Sequence, residues 1–104
     1  MKNKITRPKK NELKRKSQEV AALLKQLSHP QRLLILCSLV EGEKSVSEIE
    51  SACGASQSAV SQFLKSMRLE GLVSSRREGK RVIYRIEDER IMDLMQSLYR
   101  IFCQ

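Results

Sequence analysis

A mainly α-helical fold with a single β-hairpin is predicted by three observations on this 104-residue chain. Apolar residues recur three to four positions apart through four long segments, the spacing of a helix face turned to a core. Between residues 72 and 86 the period changes to extended alternation around Glu78-Gly79-Lys80, which reads as two strands and a turn. Two of the helices are joined only by a short turn containing Gly54, the connection that makes a helix-turn-helix.

Val20, Leu23, Leu24 and Leu27 share one helix face and predict a first helix over about residues 12–27. In "SHPQRLLILCSLVEG", Pro30 suits a first helical position, Ser28 or His29 the cap and Gly42 the stop, so the second helix spans about 30–41. Its Leu33, Leu34, Ile35, Leu36, Leu39 and Val40 cover more than one face, which marks a helix surrounded by protein. "SVSEIESACG" offers Ser47 and Glu50 as a capping box and Gly54 as the end of a short third helix. A fourth helix starts near Ser56, turns Ala59, Val60, Phe63, Leu64 and Met67 inward and closes at Gly71. Asp88 caps the last helix, whose stripe of Ile91, Leu94, Met95, Leu98, Ile101 and Phe102 is too apolar to face water alone and predicts a partner.

The formal net charge is +8, and it is unevenly spread. Residues 1–16 carry eight Lys/Arg against Glu12, a local +7 that leaves the rest of the chain at +1. Within that rest, "RREGKRVIYR" holds Arg76, Arg77, Lys80, Arg81 and Arg85 against Glu78. The expected organisation is a basic, flexible N-terminal arm over residues 1–16 and one domain over 17–104. The arm reads either as a solvated leader or as a nucleic-acid contact. No run is long and apolar enough for a membrane span or signal peptide, so a soluble, cytoplasmic protein without a membrane partner is expected. Three cysteines in such a chain argue against a structural disulfide framework.

Small polar side chains at the start of the second helix of a helix-turn-helix suit the reading of base edges in a major groove. Gln57, Ser58, Ser61, Gln62 and Lys65 occupy that stretch, although the same residues would serve as an ordinary exposed helix face. The hairpin favours the first reading, because Arg76, Arg77, Lys80 and Arg81 gather cations on a projecting loop suited to phosphate or minor-groove contact. Helix-turn-helix plus basic hairpin is a winged helix, and its expected partner is double-stranded DNA. An RNA-binding or purely structural winged helix remains an alternative.

"LSHPQRLLIL", "SVSEIE" and "SQSAVSQFLKSMRLEGLVSSRREGKRVIYRI" resemble the ArsR/SmtB family of bacterial winged-helix repressors over about residues 18–104. The resemblance implies a homodimer pairing its first and last helices, an inverted-repeat operator, and release from DNA by an inducer. It also implies a recognition helix over about 56–69 and a wing over about 73–86. Many members have His where this chain has Phe63, and any DNA contact made by that His would be missing here.

Metal sensing is the family's best-known use, but the family's ligands do not match. Its Cys-x-Cys cluster falls on "SVSEIE", which has no thiol, and its last-helix site needs His, which "DERIMDLMQSLYRIFCQ" lacks. The single His29, beside Pro30, reads as a helix cap. No metal site and no cofactor are therefore expected. Cys37 in "LLILC" and Cys103 in "LYRIFC" resemble instead the cysteine pair of the sulfide- and persulfide-responsive branch, the biofilm growth-associated repressor and HlyU kind. Alone, Cys37 would read as a buried structural thiol. Together the two imply a redox-sensing pair, with persulfide or polysulfide as inducer and Cys53 a bystander. Peroxide, or a metal at an atypical cysteine site, is the alternative signal. A thiol enzyme is not expected, because no His/Asp set accompanies a nucleophile.

Overall fold

The structure, a computed structural model, describes residues 9–103. It contains α1 (Lys10–Leu27), α2 (Pro30–Val40), β1 (Lys44–Ser45), α3 (Val46–Cys53), α4 (Gln57–Leu69), β2 (Val73–Glu78), β3 (Arg81–Ile86) and α5 (Glu89–Cys103). The expected winged helix is present, with α3 and α4 as the helix-turn-helix and β2–β3 as the wing. Lys2, Lys4 and Arg7 of the expected basic arm lie outside the described residues, whereas residues 10–16 of it are helical. Glu12 in the first turn and the Ser17 hydroxyl, which donates to the Leu13 carbonyl at 2.8 Å, carry the helix back into that segment. Among the described residues no helix is long and apolar enough to cross a membrane.

Local chemistry fixes where the helices begin. His29 is extended, and its Nδ1 accepts from the Gln31 backbone N–H at 3.1 Å while Pro30 fills the first helical position. The α3 cap differs from expectation. "SVSEIE" holds two overlapping Ser-x-x-Glu patterns, and the structure uses the earlier one: Ser45 N–H donates to Glu48 Oε1 at 2.8 Å and Glu48 N–H donates to Ser45 Oγ at 3.2 Å. The selection comes from β1, a strand too short to show any period. Its pairing of Ser45 with Ile83 holds Ser45 in the extended conformation a cap requires. At the other end Gly54 takes φ +63°, a left-handed turn that costs glycine nothing.

The sheet order is β1-β3-β2, antiparallel throughout, with the wing in register from Val73↔Ile86 to Glu78↔Arg81. Beneath it α2 is the central helix, packed against α3, α4, α5 and β3. Ile35, Leu36 and Leu39 of α2 meet Ile49, Val60, Leu64, Met67, Ile91 and Met95, all fully buried. By contrast α1 buries only Leu27, leaving Leu13, Val20 and Leu24 half exposed. The stripe on α5 is buried at its start and exposed at its end, where Phe102 is 77% exposed.

Arg32 ties three helices together. It donates to the Gln26 carbonyl of α1 at 3.0 Å, to Ser66 Oγ of α4 at 2.7 Å and to both Glu70 carboxylate oxygens at 2.8 Å. The guanidinium hydrogen bond holds the Glu70 carboxyl below its usual range. A depressed folded-state value contributes stability above the unfolded value, about 4.3 for Glu, and loses it as pH falls. Glu70→Gln is expected to cost about 1–2 kcal/mol at neutral pH in chemical denaturation, with the deficit shrinking as pH falls below about 4 and gone only below the depressed folded-state value. A deficit independent of pH would refute the charge assignment.

Candidate nucleic-acid interface

The exposed face of α4 carries Gln57, Ser58, Ser61, Gln62 and Lys65, while Val60, Leu64 and Met67 anchor the opposite face. Ser56 caps the helix, its Oγ accepting from the Ala59 N–H at 3.2 Å, so the first turn presents its polar side chains on a fixed backbone. Phe63 is half buried, and its ring lies 4.7 Å from that of His29, so at this position the chain has a packing contact between α4 and the start of α2.

Between α4 and the wing lies a groove of about 390 Å³. Ser61, Lys65 and Arg68 form one wall, and Ser75, Arg76, Arg77, Val82 and Tyr84 the other. A second hollow of about 270 Å³ brings Gln57 and Ser61 near Ser47, Lys80 and Arg81. All nine residues expected to meet DNA are exposed, and seven of them border one of these hollows; Ser58 and Gln62 do not. Arg68, Ser75 and Tyr84 were not among the expected contacts. Arg68 stands three residues beyond Lys65 on the same helix face, and Ser75 and Tyr84 share the strand parity of Arg77 and Val82, so periodicity extended a little further reaches all three.

The expected cation cluster is partly neutralised. Arg76 donates to Glu43 at 2.8 Å and to Glu78 at 2.6 Å, Arg81 to Glu48 at 3.2 Å, and Arg85 to Glu87 at 3.1 Å. Glu43 is held below the usual carboxylate range chiefly by the Arg76 hydrogen bond, and Glu48 chiefly by its capping bonds with Ser45. Among the described residues, Lys65, Arg68, Arg77 and Lys80 have no carboxylate within 4.0 Å.

All three thiols are free. Cys37 on α2 and Cys53 at the end of α3 are half buried, and Cys103 in the last turn of α5 is exposed. Burial pushes the Cys37 thiol up, and negative charge at Cys103 and then at Cys53 pushes it further, so α2 carries Cys37 within electrostatic reach of both. Burial also raises Cys53, against a hydrogen bond with Ser38. Its proximity to Cys37 was not foreseen, because it follows from α2–α3 packing and no sequence period encodes it. Among the described residues no group of three or more His, Cys, Asp or Glu side chains is arranged to hold a metal ion.

Residues 29–75 match the family described as "Bacterial regulatory protein, arsR family". The chain is 42% identical over 101 residues to the biofilm growth-associated repressor of Xylella fastidiosa strain Temecula1, covering 97% of this chain and 89% of that protein. The chain belongs to the ArsR family. The crystal structure of the X. fastidiosa repressor BigR superposes with a TM-score of 0.83 at 42% identity, over 93% of this chain and 99% of that one. Reduced HlyU from Vibrio cholerae superposes with a TM-score of 0.82 at 38% identity, covering 89% and 98%. The homodimeric winged helix-turn-helix DNA-binding domain Mb0332 of Mycobacterium bovis gives 0.69 at 32% identity, covering 93% and 89%. This ArsR-family chain is accordingly a DNA-binding transcriptional regulator, and the relatives are regulators rather than enzymes.

The thiol environments order the reactivities. A raised thiol holds less thiolate at neutral pH, and thiolate is the nucleophile. Limited alkylation with iodoacetamide at pH 7 should label the exposed Cys103 before the half-buried Cys37 and Cys53, read by peptide mass. Preferential labelling of Cys37 at pH 7 would contradict the effect of burial described above.

Proposed function

We propose that this ArsR-family regulator is a homodimeric repressor that binds inverted-repeat operator DNA and is released when Cys37 and Cys103 become linked by a disulfide or polysulfide bridge in response to persulfide. The observation that carries the thiol switch is the packing of α2 against α5 with Cys37 and Cys103 in mutual electrostatic reach. Likeness to the biofilm growth-associated repressor supports repression. Dimerisation is supported by α1 and the end of α5, which leave Val20, Leu24, Tyr99, Ile101 and Phe102 exposed, and by the homodimeric M. bovis relative. A second copy of the chain would cover those side chains.

In the proposed chemistry the exposed Cys103 thiolate attacks the outer sulfur of an organic persulfide, releasing the parent thiol and forming a Cys103 persulfide. Attack by the Cys37 thiolate on the inner sulfur then gives a disulfide and hydrosulfide. Where Cys37 is persulfidated as well, the two persulfides condense to a trisulfide with loss of hydrogen sulfide. A direct disulfide needs Cα atoms about 5.5 Å apart, and each inserted sulfur relaxes that by up to about 2 Å. Either bridge ties the central helix to α5 within one subunit and would alter the spacing of two recognition helices that must meet half-sites about 34 Å apart. Emptying a mostly occupied operator takes a difference of about 5 kcal/mol in DNA affinity between the two states.

Peptide mass mapping after treatment with a small-molecule persulfide, and separately with peroxide, should give a Cys37–Cys103 link containing extra sulfur only after persulfide. Cys37→Ser and Cys103→Ser should each keep DNA binding in reductant and lose release by persulfide. Unlinked cysteines after both treatments would end the redox reading. For the interface, Lys65→Gln and Arg77→Gln should each flatten the salt dependence of DNA binding by about 0.9 in log K against log salt, the loss of one phosphate contact. An unchanged slope would remove that side chain from the interface.

A further inference from the structure

The wing sorts its charges by face. Strand register pairs Ser75 with Tyr84 and Arg77 with Val82, and these four border the groove beside Lys65 and Arg68. By register the alternate residues Ser74, Arg76, Glu78, Arg81, Ile83 and Arg85 set out from the opposite face, although Arg76 also borders the groove and Arg81 the second hollow beside α4. Each arginine of this set is held by a carboxylate: Arg76 by Glu43 and Glu78, Arg81 by Glu48, Arg85 by Glu87. On the groove side Lys65, Arg68 and Arg77, with Lys80 at the tip, have no such partner among the described residues. Three of the four carboxylates come from outside the paired strands, Glu43 from the α2–β1 turn, Glu48 from α3 and Glu87 from beyond β3. The charge of this set is thus offset by residues brought to it by the fold.

We infer that Glu43, Glu78 and Glu87 are specificity-determining residues, which occupy the guanidinium groups of Arg76 and Arg85 and so confine phosphate contact to the unpaired cations Lys65, Arg68, Arg77 and Lys80. Attraction to phosphate is independent of sequence and grows with every free cation. An unpaired Arg85 on the back of the wing would hold DNA in orientations that put no base edge near α4, an unpaired Arg76 would add a sequence-independent contact at the groove's rim, and the genome offers non-specific sites in vast excess. A carboxylate beside each guanidinium both offsets its charge and repels an approaching phosphate. The pairs are about half exposed and so contribute little to folding, which leaves discrimination between DNA orientations as what they supply.

The inference rests on the reading that the groove faces DNA, and a random-sequence duplex tests it without knowledge of the operator. Fluorescence anisotropy over a salt series would compare the full-length protein with Glu87→Gln, which frees Arg85, and with the double variant Glu43→Gln/Glu78→Gln, which frees Arg76. Glu41→Gln is the control for net charge, since the Glu41 side chain is 81% exposed and, among the described residues, pairs only with Lys44. Each test variant should bind the random duplex several-fold more tightly near physiological salt and steepen the slope by about 0.9 per freed arginine, beyond any change in the control. Test variants that match the control, or bind more weakly than the native protein, would overturn the inference. A native protein with no salt-dependent affinity for duplex DNA would instead overturn the reading of the groove.

Discussion

The burial of α2 is the constraint on which the rest of the molecule depends. Ile35, Leu36 and Leu39 are at most 1% exposed, and the helix they belong to touches α3, α4, α5 and β3. Protein interiors are packed close to crystal density and do not deform smoothly. A displaced α2 must therefore repack the helix-turn-helix, the wing and the last helix together. The same helix bears Cys37, so one element joins a thiol of the proposed switch to the surface proposed to meet DNA.

Two networks orient that surface. Arg32 fastens the start of α2 to the end of α4, and Phe63 rests on His29, the cap of α2. Through these contacts the tilt of α4 is referred to α2 as well as to its chain neighbours α3 and β2. The contacts that orient α4 and the thiol of the proposed switch lie on one helix: Arg32 and His29 at its start, Cys37 and the turn bearing Glu43 toward its end.

Much of this was legible in the sequence where one chemical pattern has one structural solution. The apolar spacing of Val60, Leu64 and Met67, the alternation of β2 and β3 about Gly79, and the His29-Pro30 helix start left little choice of element. Legibility failed where two patterns overlapped or where partners were far apart in the chain. "SVSEIE" satisfies the capping rule twice, and only the pairing of Ser45 with Ile83, 38 positions on, selects between them. The pairing of Arg76 with Glu43 and the nearness of Cys53 to Cys37 are likewise products of folding. The hairpin's net positive charge was visible as a number, but its division into paired and unpaired cations needed the fold.

Ser45 has a consequence for how such a reading head can change over time. It is the last residue of β1, paired with the wing, and the cap that starts α3. Wing and helix-turn-helix meet at this residue, as they do at the Arg81–Glu48 pair and where α4 packs on β2, so they are braced as one unit. New target preferences in this lineage would then come from exchanging side chains on a fixed frame, one position at a time, while the frame itself stays inherited.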